Sequence, residues 1–157
     1  MTSRDFFERV REAAIDAERT RRTLEAMESR EGVKAQRYGS SVQGGNRDVM
    51  AATDARLDRE LVWRRRIEED YALIDRACAI IYGIDNRGGI ASLLGNPTAD
   101  AMFWRYCAAV TWAEVARNVS YSQAWCYRAV AVAFELIDSA GVEAVMRGEG
   151  MAECRRH

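Results

Sequence analysis

From Phe6 onward the apolar or small positions run Val10, Ala13, Ala17, Thr20, Leu24 and Met27, in strictly alternating steps of four and three. Charged residues fill nearly every position between them. A strand repeats every two residues and a helix every 3.6, so this spacing predicts one long amphipathic helix with a heptad seam. Only one proline, Pro97, and 11 glycines interrupt the 157 residues. The three-and-four spacing persists beyond them, and no stretch alternates as a half-buried strand does. The class expected is therefore all-α.

Gly32 is placed to end the first helix. The stretch YGSSVQGGN, Tyr38 to Asn46, has the composition of a flexible loop, expected near 32–47. A second helix then begins near Asp48, with Leu57, Leu61, Ile67, Tyr71, Ile74, Cys78 and Ile81 on its seam and an interruption of the heptad step around Arg64. Two readings fit: an antiparallel hairpin within one chain, or an intermolecular coiled coil that makes a homodimer. The hairpin is favoured, because a seam with two alanines and a threonine makes a weak zipper. Arg64, Arg65 and Arg66 are followed at once by Glu68, Glu69 and Asp70, which reads as a solvated face of local ion pairs. The turn GIDNRGG (83–89), a short helical piece from Ile90 to Leu94 and a boundary at Asn96-Pro97 complete this half. The expected division is a coiled-coil-like helical hairpin over 1–95, a compact unit over 96–147 and a tail over 148–157.

Composition excludes several functions. With 48% apolar and 30% charged residues the chain has the balance of a globular protein, and 23 basic against 24 acidic residues leave a net charge of -1. Binding to nucleic acid through bulk positive charge is thereby disfavoured, so any such contact must be local. All basic residues but Lys34 are arginine, a bias that fits a genome rich in G and C. The longest apolar runs, Ala77 to Tyr82 and Ala129 to Phe134, are far short of a membrane span, and the charged N-terminus does not resemble a secretory signal. The expected location is the cytoplasm of a bacterial cell, with no membrane partner. Cys78, Cys107, Cys126 and Cys154 form no CxxC pair and read as reduced, largely core residues. The only histidine is the last residue, His157, so zinc sites of ordinary spacing, a Ser-His-Asp triad and a Cys-His pair all lack their imidazole. Neither Gly44-Gly45 nor Gly88-Gly89 sits in a phosphate-loop pattern. No catalytic residue, metal or cofactor is expected, and the chain is read as a non-enzyme.

The informative segment follows Pro97. Thr98 is placed to cap a helix through Ala101, Phe103, Trp104 and Cys107. Thr111, with Glu114 three residues on, has the spacing of a capping box for a helix over Trp112 to Asn118. Val119, Ser120 and Tyr121 make a brief turn, and Ser122 is an N-cap candidate for a helix running to about Ile137. These are helix-turn-helix proportions. The small residue needed where the two helices cross is Ala116; Val115, Val119, Tyr121, Cys126 and Ala129 supply apolar positions around it. Ser120 departs from the pattern, because the turn favours a residue that takes positive φ, most often glycine.

The stretch RYCAAVTWAEVARNVSYSQAWCYRAVAVAFEL, Arg105 to Leu136, resembles the C-terminal part of phage late-gene regulators of the ArpU and RinA type, which look like region 4 of bacterial sigma-70 factors. The likeness rests on Arg105-Tyr106, Trp112, Glu114, Ala116, Ser122, Tyr127-Arg128 and Ala133-Phe134. Upstream it is looser: a charged first helix, the loop Ser40 to Asp48, Met50 and a long second helix. The resemblance implies double-stranded DNA binding and activation of late phage or prophage genes.

On that reading the second helix of the motif is the recognition helix. Its exposed positions are Gln123, Ala124, Tyr127 and Arg128, with Ser122 at its start and Arg117 on the preceding helix. Major-groove geometry pairs Gln123 with adenine and Arg128 with guanine. One arginine is few beside the several basic residues of sigma region 4. Further phosphate contacts are therefore sought in Arg105, Arg117, Arg155-Arg156 or a second protomer. Trp112 reads as an apolar cover over the turn, and Trp125 and Tyr127 as either packing or partner contacts. The leading function is a sequence-specific transcriptional regulator whose N-terminal hairpin serves dimerisation or contact with RNA polymerase. The alternatives are a DNA-packaging component like a small terminase subunit, which forms rings, and a helical adaptor that binds no DNA.

Overall fold

The computed structural model describes residues 1–37 and 46–150. Seven α-helices account for nearly all of them, with no strand among the described residues. They are α1 (Ser3–Arg37), α2 (Asn46–Tyr82), α3 (Gly89–Leu94), α4 (Asn96–Met102), α5 (Trp112–Val119), α6 (Gln123–Ala140) and α7 (Val142–Met146). A 3-10 turn (Ile84–Asn86) precedes α3, and a π-helical turn (Phe103–Cys107) extends α4. The chain is all-α, as its spacing predicts, and no described helix is long and apolar enough to cross a membrane. Residues 38–45 of the expected loop, and Cys154, Arg155, Arg156 and His157 of the tail, lie outside the described residues.

The contacts define two units, 1–15 with 71–157, and 16–70. This division differs from a boundary at 95: residues 71–95 belong with the C-terminal helices because Ala77, Ile80, Ile81 and Ile90 share their core.

In the smaller unit α1 buries Ala17, Thr20 and Leu24, as its seam requires. It does not stop at Gly32 but continues to Arg37. A glycine costs an isolated helix only about 1 kcal/mol, too little to end one without a competing cap. In α2 the inward positions are Thr53, Arg56, Glu60, Trp63, Ile67 and Asp70, all half-buried. Their steps of three and four are unbroken, so the heptad is not interrupted around Arg64. Three of the six are ionisable, and a seam sought among apolar residues alone misses them. Arg56 Nε lies 3.8 Å from Glu60 Oε1 along this seam. Leu57, Leu61 and Tyr71, expected on the seam, are instead exposed, as is Val62. Arg66 forms a two-pronged ion pair with Asp16, and Arg64 Nη2 lies 2.9 Å from Glu28, so α2 is paired to α1 by charge. The Arg66 hydrogen bonds hold the Asp16 carboxyl below its usual range. Burial, and then the neighbouring Asp16, push Asp70 up to about 6.

The larger unit closes around Phe7, Tyr106 and Phe134, whose rings are each 5.6 Å from one another. The N-terminus of α1 is tied into it. Ser3 N donates to Asp138 Oδ1 at 2.8 Å, and Ser3 Oγ to the Phe134 carbonyl at 3.2 Å. An acidic residue 135 positions away thus serves the positive end of α1. The turn between α2 and α3 needs glycine: a Cβ on Gly83 would fall 2.1 Å from Gly88 N, and one on Gly88 would fall 2.2 Å from the Met146 carbonyl. Thr98 does not cap α4. The helix starts at Asn96 with Pro97 in its first turn, where proline's missing N–H costs nothing, and Thr98 is buried inside it.

Candidate nucleic-acid interface

The segment from Thr111 to Ala140 is built by three local devices, each written in the sequence. Thr111 Oγ1 accepts from Glu114 N at 3.3 Å, and Glu114 Oε2 accepts from Thr111 N at 3.0 Å. The capping box therefore closes in both directions and fixes the first turn of α5. The Thr111 backbone bond is the main cause of a Glu114 pKa below its usual value. α5 ends where Ser120 takes a left-handed conformation, φ 62° and ψ 37°, with Ser120 N and Tyr121 N both directed to the Ala116 carbonyl. Then Ser122 Oγ accepts from Trp125 N at 3.1 Å and starts α6.

These devices set the side-chain faces. Val115 and Cys126 have no exposure and Val130 almost none; Ala116 and Val119 are half-buried and pack on the same core, and Ala129 is half-buried. Burial also raises the Cys126 thiol pKa. Ser122, Gln123, Ala124, Tyr127 and Arg128 are all exposed, as is Arg117 on α5. The structure thus places the four expected α6 positions, 123, 124, 127 and 128, on one solvent side of one helix.

The face is not uniform across its width. Tyr127 leans toward α5, its ring 4.5 Å from that of Trp112. Arg128 lies on the opposite flank, where it lines an open groove of about 300 Å³ with Leu94, Thr98, Trp125, Ala129 and Val132. Successive helix positions diverge by 100°, so adjacent residues cannot share one line. Neither Arg117 nor Arg128 forms a salt bridge or hydrogen bond among the described residues.

Arg105 is committed elsewhere. Its guanidinium stacks over the Trp112 ring at 4.8 Å, and its Nη1 donates to the Val110 carbonyl at 3.2 Å, so it is a brace for the start of α5 rather than a spare phosphate ligand. Trp112, half-buried between Arg105, Tyr106 and Tyr127, covers this corner. A further feature is the stack of exposed Tyr121 on half-buried Trp125, with centroids 4.0 Å apart and planes at 23°. Its signal was present as two aromatics four residues apart across an N-cap. Tyr121, at the turn, is itself exposed.

Among the described residues no three His, Cys, Asp or Glu side chains are grouped to hold a metal. Comparison with protein families, with curated proteins and with solved structures gives no match.

Proposed function

We propose that this chain is a sequence-specific double-stranded DNA-binding transcriptional regulator of phage or prophage late genes, without catalytic activity. In this reading α5, the Ser120 turn and α6 form a helix-turn-helix, and α6 enters the major groove. The observation that carries it is the capped α6 displaying Gln123, Ala124, Tyr127 and Arg128 to solvent while Val115, Cys126 and Val130 face inward. Helix N-terminal residues that the core does not need are the ones a helix-turn-helix offers to base edges. Gln123 and Arg128 are assigned the base contacts, Arg117 and Ser122 the phosphates, and Ala124 the close approach to the groove floor. Tyr127, braced by Trp112, shapes the face.

With so few cations a single copy holds DNA weakly, because non-specific affinity scales with the phosphates neutralised. We assign the remainder to a second copy of the chain, with RNA polymerase as a further partner. The hairpin reading of α1 and α2 is supported by the Arg66–Asp16 and Arg64–Glu28 pairs. The dimer is supported by the inversion in α2. Its inner seam carries Arg56, Glu60 and Asp70, while Met50, Leu57 and Leu61, at steps of seven and four, are exposed at 65%, 46% and 64%. A stripe of that spacing matches an identical stripe related by a twofold axis.

Selection of bound duplexes from a random pool tests the function. Enrichment of one site supports the reading, and recovery of the starting pool rejects it. Sedimentation of the free protein tests the assembly: a dimer is expected, a ring favours a packaging role, and a monomer removes the second copy.

A further inference from the structure

Two cysteines that the proposed DNA-binding role leaves unused face each other across the larger unit. Cys78 Sγ, on α2, is 3.9 Å from Cys107 Sγ, on the π-helical turn that leads toward α5. Both are free thiols, separated by 29 residues. The surroundings hold them there. One turn beyond Cys78 the Tyr82 hydroxyl donates to Asp100 at 2.7 Å, joining α2 to α4. Cys78 is half-buried, whereas Cys107 is buried.

Chemically the pair is asymmetric. The contact with Cys107 lowers the Cys78 thiol to about 7, while the same contact and burial push Cys107 up. The accessible thiol therefore supplies the thiolate and the buried one is placed to resolve it. The backbone at Cys107 also departs from α-helical bonding. Ala108 N bonds to the Phe103 carbonyl at 3.0 Å and Val110 N to the Trp104 carbonyl at 3.1 Å, one and two residues wider than α-helical bonding. This wide turn is closed by Ala109 at φ 57°, a left-handed conformation that alanine adopts only at a cost. π-turns of this kind often accompany functional sites, and here the sulfurs must close from 3.9 Å to about 2.05 Å.

We propose that Cys78 and Cys107 form a dithiol redox site that hydrogen peroxide converts to an intramolecular disulfide. Cys78 ionises and its thiolate attacks one peroxide oxygen, the O–O bond breaks to leave a Cys78 sulfenic acid, and the departing hydroxide becomes water by taking up the proton released when the thiol ionised. Cys107 sulfur then attacks Cys78 sulfur, the S–O bond breaks, and the hydroxyl leaves as a second water with the Cys107 proton. Two thiols lose two electrons and one peroxide gains them. The site goes beyond the DNA-binding reading and does not depend on it.

The test is peptide mapping of the full-length protein after treatment with hydrogen peroxide and alkylation. Trypsin cuts after Arg76, Arg87, Arg105 and Arg117, so the expected product joins peptides 77–87 and 106–117 and separates with dithiothreitol. In Cys107→Ser, peroxide should leave a dimedone-reactive sulfenic acid on Cys78. In Cys78→Ser, Cys107 should stay a thiol, and Cys126→Ala should leave the joined product unchanged. Oxidation that links Cys126 or Cys154 instead, or that leaves all four cysteines alkylated as thiols, overturns the proposal.

Discussion

The ring of Trp112, the first residue of α5, lies 4.5 Å from the ring of Tyr127 on α6 with their planes at 46°. The two helices that meet at the Ser120 turn are thus clasped on their outer side as well as packed through Val115 and Cys126 within. Arg105 stacks on the same indole, so the π-helical turn, α5 and α6 converge on one side chain.

A double-mutant cycle on Trp112→Ala and Tyr127→Ala measures the clasp. Trp112→Ala should cost about 2–3 kcal/mol, below the figure for a fully buried tryptophan because this one is half-exposed. The coupling should be about 0.5–1.5 kcal/mol, the range for an aromatic pair. Urea unfolding gives both values; additive losses would mean that the rings touch without supporting each other.

Ser120 occupies a conformation that glycine adopts freely. Ser120→Gly should stabilise the protein by about 0.5–1 kcal/mol, since relief of left-handed strain outweighs the entropy of a more flexible unfolded chain. Ser120→Val, β-branched at the same φ, should lower the melting temperature. If both variants melt like the parent, the turn is not held at positive φ.

Asp70 sits beside Asp16 with one carboxylate oxygen enclosed and unpartnered. Its folded pKa of about 6 lies above the ordinary 3.8. The stability due to its protonated form is complete below the ordinary value and is lost as pH rises through the folded one. Asp16 runs oppositely: its pKa is lowered, so its contribution is present above the ordinary carboxylate value and is lost as pH falls through the lowered one. Asp70→Asn, which mimics the protonated form, should therefore melt higher than wild type at pH 7.5 and equal to it near pH 4. With screening by solvent the gain should be about 1 kcal/mol, or about 2–4 °C. A pH-independent difference would exclude the linkage.

The sequence carried the local devices most clearly. The Thr111 and Glu114 capping box, the Ser122 cap and the strained Ser120 were readable because each depends on residues within three or four positions of one another. The exposure of Gln123, Ala124, Tyr127 and Arg128 followed from the same spacing. What escaped depended on partners outside a single helical repeat, most of them distant. Asp138 reaches Ser3 across the chain, Arg105 is held by Trp112 and the Val110 carbonyl, and Cys78 meets Cys107; none of these leaves a periodic signal. The seam of α2 was misplaced at Leu57, Leu61 and Tyr71, though not at Ile67, Ile74, Cys78 or Ile81, for another reason. Arg56, Glu60 and Asp70 occupy positions that hydrophobicity assigns to apolar residues, and Leu57 and Leu61 face outward. The helix α7 is only five residues long and follows Gly141 at φ 89°, too short to show a period.

The central claim, that α6 reads bases, is tested most directly by titrating a pool-selected duplex and its scrambled counterpart with wild type, Arg128→Ala and Arg117→Ala. Both arginines are exposed, so neither change should alter the fold. Arg128→Ala should cost about 1–3 kcal/mol on the selected duplex and narrow its advantage over the scrambled one, whereas Arg117→Ala should weaken both alike. The salt dependence should be shallow, since each neutralised phosphate adds only about -0.9 to the slope. Equal binding of wild type and Arg128→Ala to both duplexes would contradict the account.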